Sequence, residues 1–300
     1  MAKQATSSNK GRASAPPPPK SRAVQTTSDK GRAVADAAAM EEMTKMMAAD
    51  AGKGVSTAVE DNIVPLIYIL QSNSPQVQKK GDSYVEGAEA GSIWFRGTQQ
   101  VVSGDDGILV VPAYFSKCWI EWLPDRGGFV ARHDEKPGDA FIWTDPQNPK
   151  KKGWRRKNGN SVVETREHVV IVLDEFDAPL PFVIPMSGSG HGASRAWMTL
   201  MNRKRVPGTD MKSPSYGYLY RMKLQFRTND QGDWFMWNVD DEGGEPTMLT
   251  DPAVYRMARQ IESDFTKGIL KSDQMTGDQV DEGSDVQGSN AKGQRDSEHV

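Results

Sequence analysis

The run KKKGWRRK (150–157) sets six cations, Lys150, Lys151, Lys152, Arg155, Arg156 and Lys157, around a single indole, Trp154. Ammonium and guanidinium groups attract phosphates. An indole offers a flat face on which an unpaired base can stack, worth about 1–3 kcal/mol per base. A charge run alone reads as a solvated loop; a run built around an aromatic points to nucleic acid. A longer basic stretch follows, from Arg195 to Arg227, in which Asp210 is the only anion. It holds Arg203, Lys204 and Arg205, then YGYLYRMKL (216–224). Alternation in a strand puts Tyr216, Tyr218 and Tyr220 on one face and Arg221 and Lys223 on the other. Either the tyrosines line the core and the cations face solvent, or the tyrosines are a stacking surface.

Signatures of catalysis are weak. Gly52-Lys53-Gly54 lacks the upstream glycine and the Ser/Thr of a phosphate-binding loop, and there is no H-E-x-x-H. SGSGHG (187–192) has Gly188 directly before Ser189, which does not fit a nucleophile elbow. It reads as a flexible loop entering a helix, of a kind that can also approach a phosphate. Asp174, Glu175 and Asp177 follow an apolar run, where metal-dependent nucleases place carboxylates. Without a further carboxylate-plus-lysine motif they read first as a hairpin turn; a metal-dependent nuclease is one alternative function, and a protein-interaction or structural factor whose basic patch binds a protein is another. His133 and His168 are isolated, and the lone cysteine, Cys118, reads as a packed thiol. The expectation is therefore a protein with no catalytic residue, no metal and no cofactor.

The 300 residues carry 37 Lys+Arg, 40 Asp+Glu and a net charge of −3, with 37% hydrophobic residues. That fraction is low for a fully packed chain. Both ends explain it. Residues 1–32 are basic and Pro/Ser-rich, with APPPP at 15–19, and residues 272–300 are acidic. Neither end can bury enough apolar surface to offset chain entropy, so both are expected to be disordered. All eight tryptophans and seven tyrosines lie between 60 and 271. The organisation expected is a basic N-terminal segment (1–58), one nucleic-acid-binding domain (59–271) and an acidic tail (272–300). Within the first segment, residues 33–50 read as a Met-rich helix. It is either marginal in isolation or a docking face built from Met40, Met43 and Met47. No apolar run is long enough to span a bilayer.

The elements that must hold the binding residues read as short strands: 61–70, 91–95, 107–115, 117–123, 126–132, 140–143, 167–174, 179–186, 216–226 and 233–239. The segments 107–115 and 117–123 form a tight hairpin or one bent strand. Two helices are expected, 191–205 and 250–268, the second with Asp251 as N-cap, Pro252 at its first position and Gly268 as stop. This is a mostly antiparallel sheet or barrel. With no zinc-finger spacing and no basic zipper, recognition would tolerate any sequence, as in single-strand binding rather than major-groove readout.

DNIVPLIYILQSNSPQV, YVEGAEAGSIW, VVPAYFSKCWIEW, SRAWMTLMNRKRVPG and YRMKLQFRTNDQGDWFMWNV resemble tailed-bacteriophage proteins of the single-stranded-DNA-binding type, over about residues 61–270. The resemblance implies an OB-like antiparallel barrel and the coating of single-stranded DNA during phage replication and recombination, in the cytoplasm of the infected host. It also implies an acidic tail that recruits replication or recombination proteins. A homo-oligomer fits this picture. No DNA-contacting residue is carried over from it; the residues named above rest on charge and aromatic placement.

Overall fold

A computed structural model describes residues 29–50, 63–124, 128–149, 152–229, 232–239 and 247–273. Both expected disordered tails, apart from a few residues at their inner ends, lie outside these, as do Lys150 and Lys151. The chain divides into two compact units, Met1–Ser56 and Thr57–Val300. The first holds helix α1 (Asp29–Ala49), on which Met40, Met43, Met46 and Met47 are exposed. Among the described residues no helix is long and apolar enough to cross a membrane.

The second unit is mostly β. Its strands are β1 (Ile63–Val64), β2 (Ile67–Ile69), β3 (Ser92–Phe95), β4 (Gln100–Ser103), β5 (Ile108–Trp122), β6 (Phe129–His133), β7 (Phe141–Thr144), β8 (Lys152–Arg155), β9 (Ser161–Val172), β10 (Leu180–Ser187), β11 (Tyr220–Asn229), β12 (Gly232–Asn238) and β13 (Lys271–Ser272). Helices α2 (Gly190–Arg203) and α3 (Pro252–Thr266) complete it. The expected OB-like barrel does not close. The main sheet runs β12-β11-β5-β9-β8-β7, with β10 added to β9 and β6 to β5, and β12 and β7 are open edges. Strands β2-β3-β4 form a separate antiparallel sheet, and β1 pairs with β13 in parallel. Closure would need the first and last strands to pair. Here both edges lie on short strands at opposite ends of a long ribbon.

That ribbon is β5 with β9, paired antiparallel from Val110↔Val172 to Trp122↔Ser161. The two segments 107–115 and 117–123 are thus one strand, bent by a bulge between Pro112 and Tyr114. The inner half of the ribbon is covered on both faces. Ile108, Val110, Val170 and Val172 point to a core capped by Trp197 and Met201 of α2. Val111, Ala113, Val169 and Ile171 point to a second core closed by Val254, Ala258 and Ile261 of α3. Helix α3 starts as its sequence dictates: the Asp251 carboxylate accepts from the Ala253 N–H at 2.7 Å. The outer half of the ribbon leaves these cores and is widened by β6, β8 and β7.

Buried between the ribbon and α2, His168 stacks on Trp197 at 4.7 Å and hydrogen-bonds Ser194 Oγ through Nε2 at 2.8 Å. Burial, reinforced by the nearby Arg166 charge, pushes its pKa down to about 3. Below the ordinary histidine value of about 6.5 the unfolded chain takes up a proton that the folded chain refuses, so stability falls with pH by up to about 1.4 kcal/mol per unit. Urea unfolding between pH 7 and pH 4 should show this loss beginning near pH 6.5. His168→Gln should flatten the slope between pH 6.5 and 4.5. Parallel slopes in the two proteins would refute the assignment.

Candidate nucleic-acid interface

The basic run is not a loop. Lys152–Arg155 is strand β8, paired through Trp154↔Val162 to β9 and through Ile142↔Trp154 to β7. Cross-strand partners share a face. Val162 is the partner of Glu121, so Trp154, Glu121 and Trp119 look out on the same side, the side that α2 covers further in. Trp154 meets Trp119 edge-on at 5.9 Å and 90°. Lys136, from the β6–β7 connection, places Nζ 3.9 Å from the Trp154 ring centroid. Two residues inward from Trp119, Lys117 and Arg166 are direct cross-strand partners on the same face. Two further inward, Phe115 opposes His168, which Trp197 of α2 covers, while the first turn of α2 reaches out to the Glu164 carbonyl through His191 Nε2 at 2.9 Å. One face thus carries, in order, Phe115, the Lys117/Arg166 pair, and Trp119 with Trp154 and Lys136, with the half-buried Glu164 opposite Trp119 as the anion in the row.

Like charges directly opposite each other on a sheet repel. Lys117 and Arg166 do so, and among the described residues Arg166 has only Glu164 at 3.6 Å to offset it, with no hydrogen-bond partner for its buried Nε. An anion between the two cations would relieve both terms. Lys117, Lys136, Lys152 and Lys157 are exposed and take part in no ion pair recorded among the described residues.

Arg156 has a different task. Its Nη1 donates to Glu121 at 2.8 Å and its Nε to Asp139 at 2.9 Å. Glu121, 1% exposed, also accepts from Asn160 at 2.6 Å and Asn158 at 3.4 Å, and pairs with His133 Nε2 at 2.7 Å. Burial alone would raise its pKa; these donors overcome that and lower it to about 2. The hub ties β5, β6 and the β8–β9 turn together beside Trp119 and Trp154, on the same face.

Arg155 points to the opposite face, where its guanidinium stacks on Trp143 at 3.6 Å. On that face the ribbon buries Glu167, which accepts from Arg132 at 3.0 Å and from Ser272 at 2.7 Å. Cys118 lies beside them, buried, its thiol pushed up to about 12 by burial and by the Glu167 charge. It is the packed thiol its sequence context suggests.

The second basic stretch does not join the first. Arg221 pairs in register with Leu109, and Trp154 with Val162 opposite Glu121. Twelve residues of β5 separate those points, about 40 Å at 3.3 Å per residue. Arg221 is committed to Asp174 at 2.6 Å, and Lys223 lies beyond it on the same strand. Tyr220 is 3% exposed in the α2 core and cannot stack on a base, because alternation sends it inward with Met222 and Leu224. Tyr216 packs on Tyr255 of α3 at 5.0 Å. Arg203, Lys204 and Arg205 sit at the far end of α2, about 21 Å from its start at 1.5 Å per residue. There Lys204 Nζ lies 5.3 Å from the Tyr218 ring, whose hydroxyl donates to the Arg205 carbonyl at 2.8 Å.

Asp174 is engaged by Arg221 and by the Leu109 N–H at 2.9 Å, and burial followed by the Asp174 charge raises the pKa of Glu175. Among the described residues no three His, Cys, Asp or Glu side chains gather as a metal site.

Charge and aromatic spacing alone do not single out Lys117, Trp119, Arg166 or Lys136: simple alternation from Ile108 sends Lys117 and Trp119 to the α3 side, and Lys136 lies inside the acidic stretch HDEKPGD. The chain belongs to the Pam3 phage gp34-like protein family, whose profile matches residues 31–271. No curated protein and no solved structure matches it.

Proposed function

We propose that this member of the Pam3 phage gp34-like family binds single-stranded DNA exposed during phage replication and recombination, without reading its sequence, along the outer half of the β5/β9 ribbon. The observation that carries the reading is the single row of alternating rings and cations on one sheet face: Phe115, Lys117 with Arg166, then Trp119 and Trp154 with Lys136. Phosphates meet the cations and bases meet the rings. Lys136 occupies the Trp154 face in the free protein, a contact worth about 0.5–1 kcal/mol at an exposed site. Stacking of a base is worth about 1–3 kcal/mol, so a base displaces the ammonium, which then moves onto a neighbouring phosphate. No base-edge reader is required, in keeping with the expected tolerance of sequence. Arg155 with Trp143 on the opposite face, and the Arg203–Arg205 corner, are secondary contacts at most.

Titration of the full-length protein with oligo-dT should quench tryptophan emission and weaken as salt rises. Lys117→Ala should lower affinity equally for all sequences and reduce the log–log salt slope by about 0.7, one phosphate contact on a single strand. An oligo-rU arm distinguishes DNA from RNA preference. No quenching and no retention at low salt would remove nucleic acid as the ligand.

A further inference from the structure

The β5 edge facing β6 and β11 has a gap. Strand β11 pairs with it from Ile108 to Val110 and β6 from Trp119 to Trp122, and among the described residues no strand pairs with that edge between them. Cover there comes from the 212–215 segment, from which Ser215 Oγ donates to the Ala113 carbonyl at 3.5 Å, and on the other face from α3, whose Phe265 stacks on Tyr114 at 5.4 Å. A cleft of about 110 Å³ opens in this gap, walled by Tyr114 and Phe115 of the ribbon and by Met198 and Met201 of α2, with Asn202 and Lys212 at its rim. Three properties narrow its occupant. The walls are flat or polarisable, which suits a planar ring. The Asn202 side chain is exposed and its carboxamide, which can both donate and accept, has no hydrogen-bond partner recorded. Every lining residue is neutral or cationic, so a carboxylate-rich wall does not repel an anion. Phe115 also begins the ring-and-cation row, with Lys117 the next side chain on that face.

We propose that this cleft receives one unpaired base of the bound strand, edge-on to Asn202, with the adjoining phosphate held by Lys212 and Lys117; this rests on the single-strand reading above and extends it. The cleft is then the inner end of the row, and the bound strand is anchored there as well as at Trp119 and Trp154.

The test uses the full-length protein and oligo-dT carrying single 5-iodouracil substitutions. Photo-crosslinking followed by peptide mapping should place adducts on Tyr114, Phe115 or Met198 for one position of the oligomer, and on Trp119 or Trp154 for another. The double variant Asn202→Ala/Lys212→Ala, at two exposed positions, should lose about 5-fold or more in affinity, on the order of one stacked base, and about 0.7 in salt slope. Adducts confined to Trp119 and Trp154, with the double variant binding as the wild type does, would overturn the cleft while leaving the outer surface as the site. Wild-type protein that neither crosslinks nor binds would overturn both.

Discussion

Truncating both indoles, Trp119→Ala/Trp154→Ala, should weaken oligo-dT binding by about 2–4 kcal/mol, roughly 30- to 1,000-fold. Each ring offers about 1–3 kcal/mol by stacking, but the two touch at 5.9 Å, so their losses should not add in full. Neither residue belongs to the two apolar cores, so thermal unfolding should move little compared with binding. Trp143→Ala supplies the control. It removes the ring under Arg155 on the opposite face and should cost several-fold less. Equal losses from the two faces would mean that the strand wraps the edge strand β7 instead of lying along the row. Unaltered binding in the double variant would end the stacking proposal.

Glu121→Ala carries the second large effect, on stability. The carboxylate is buried, and its removal strips Arg156, His133, Asn158 and Asn160 of their common acceptor. Breaking a fully buried ionic hub costs about 3–5 kcal/mol, but Arg156 and His133 are each 28% exposed and recover some hydration, which brings the expected loss to about 2–3 kcal/mol. Glu121→Gln keeps the volume and should cost less. Urea midpoints of the two variants give the comparison. A midpoint for Glu121→Ala within error of the wild type would show that the outer sheet stands without the hub. The hub also explains why Arg156, one of six cations in the basic run, is a poor candidate for a phosphate contact: two carboxylates already hold it.

How far the sequence leads depends on the range over which the deciding interaction acts. The apolar run of β9, its turn into β10, and the Asp251-Pro252 start and Gly268 stop of α3 are local features, and the structure has them where the pattern puts them. The inward turn of Tyr220, Met222 and Leu224 is one of the two alternatives that alternation leaves open, and only packing against α2 decides it. Strand β8 is hidden because lysine and glycine have low strand propensity; its pairing with β7 and β9 makes it a strand. Whether a row of antiparallel strands closes is decided by their relative lengths and edges, which local spacing does not contain, and an open sheet results. On the candidate surface, counting by twos from Ile108 sends Lys117 and Trp119 to the α3 side. The extra residue at the Pro112–Tyr114 bulge reverses that count and brings them to the side of Trp154.

The same bulge has a mechanical consequence. A bulge sharpens the right-handed coil of its strand, and neighbouring strands add roughly 20–25° each. A polymer following Phe115, Trp119 and Trp154 from β5 across β9 to β8 must therefore turn steadily as it goes. Double-helical DNA, with a persistence length of about 150 base pairs, resists such a path over one domain. A lone strand bends freely at every nucleotide, so the curvature of the sheet can itself reject duplex, with no side chain assigned to the task.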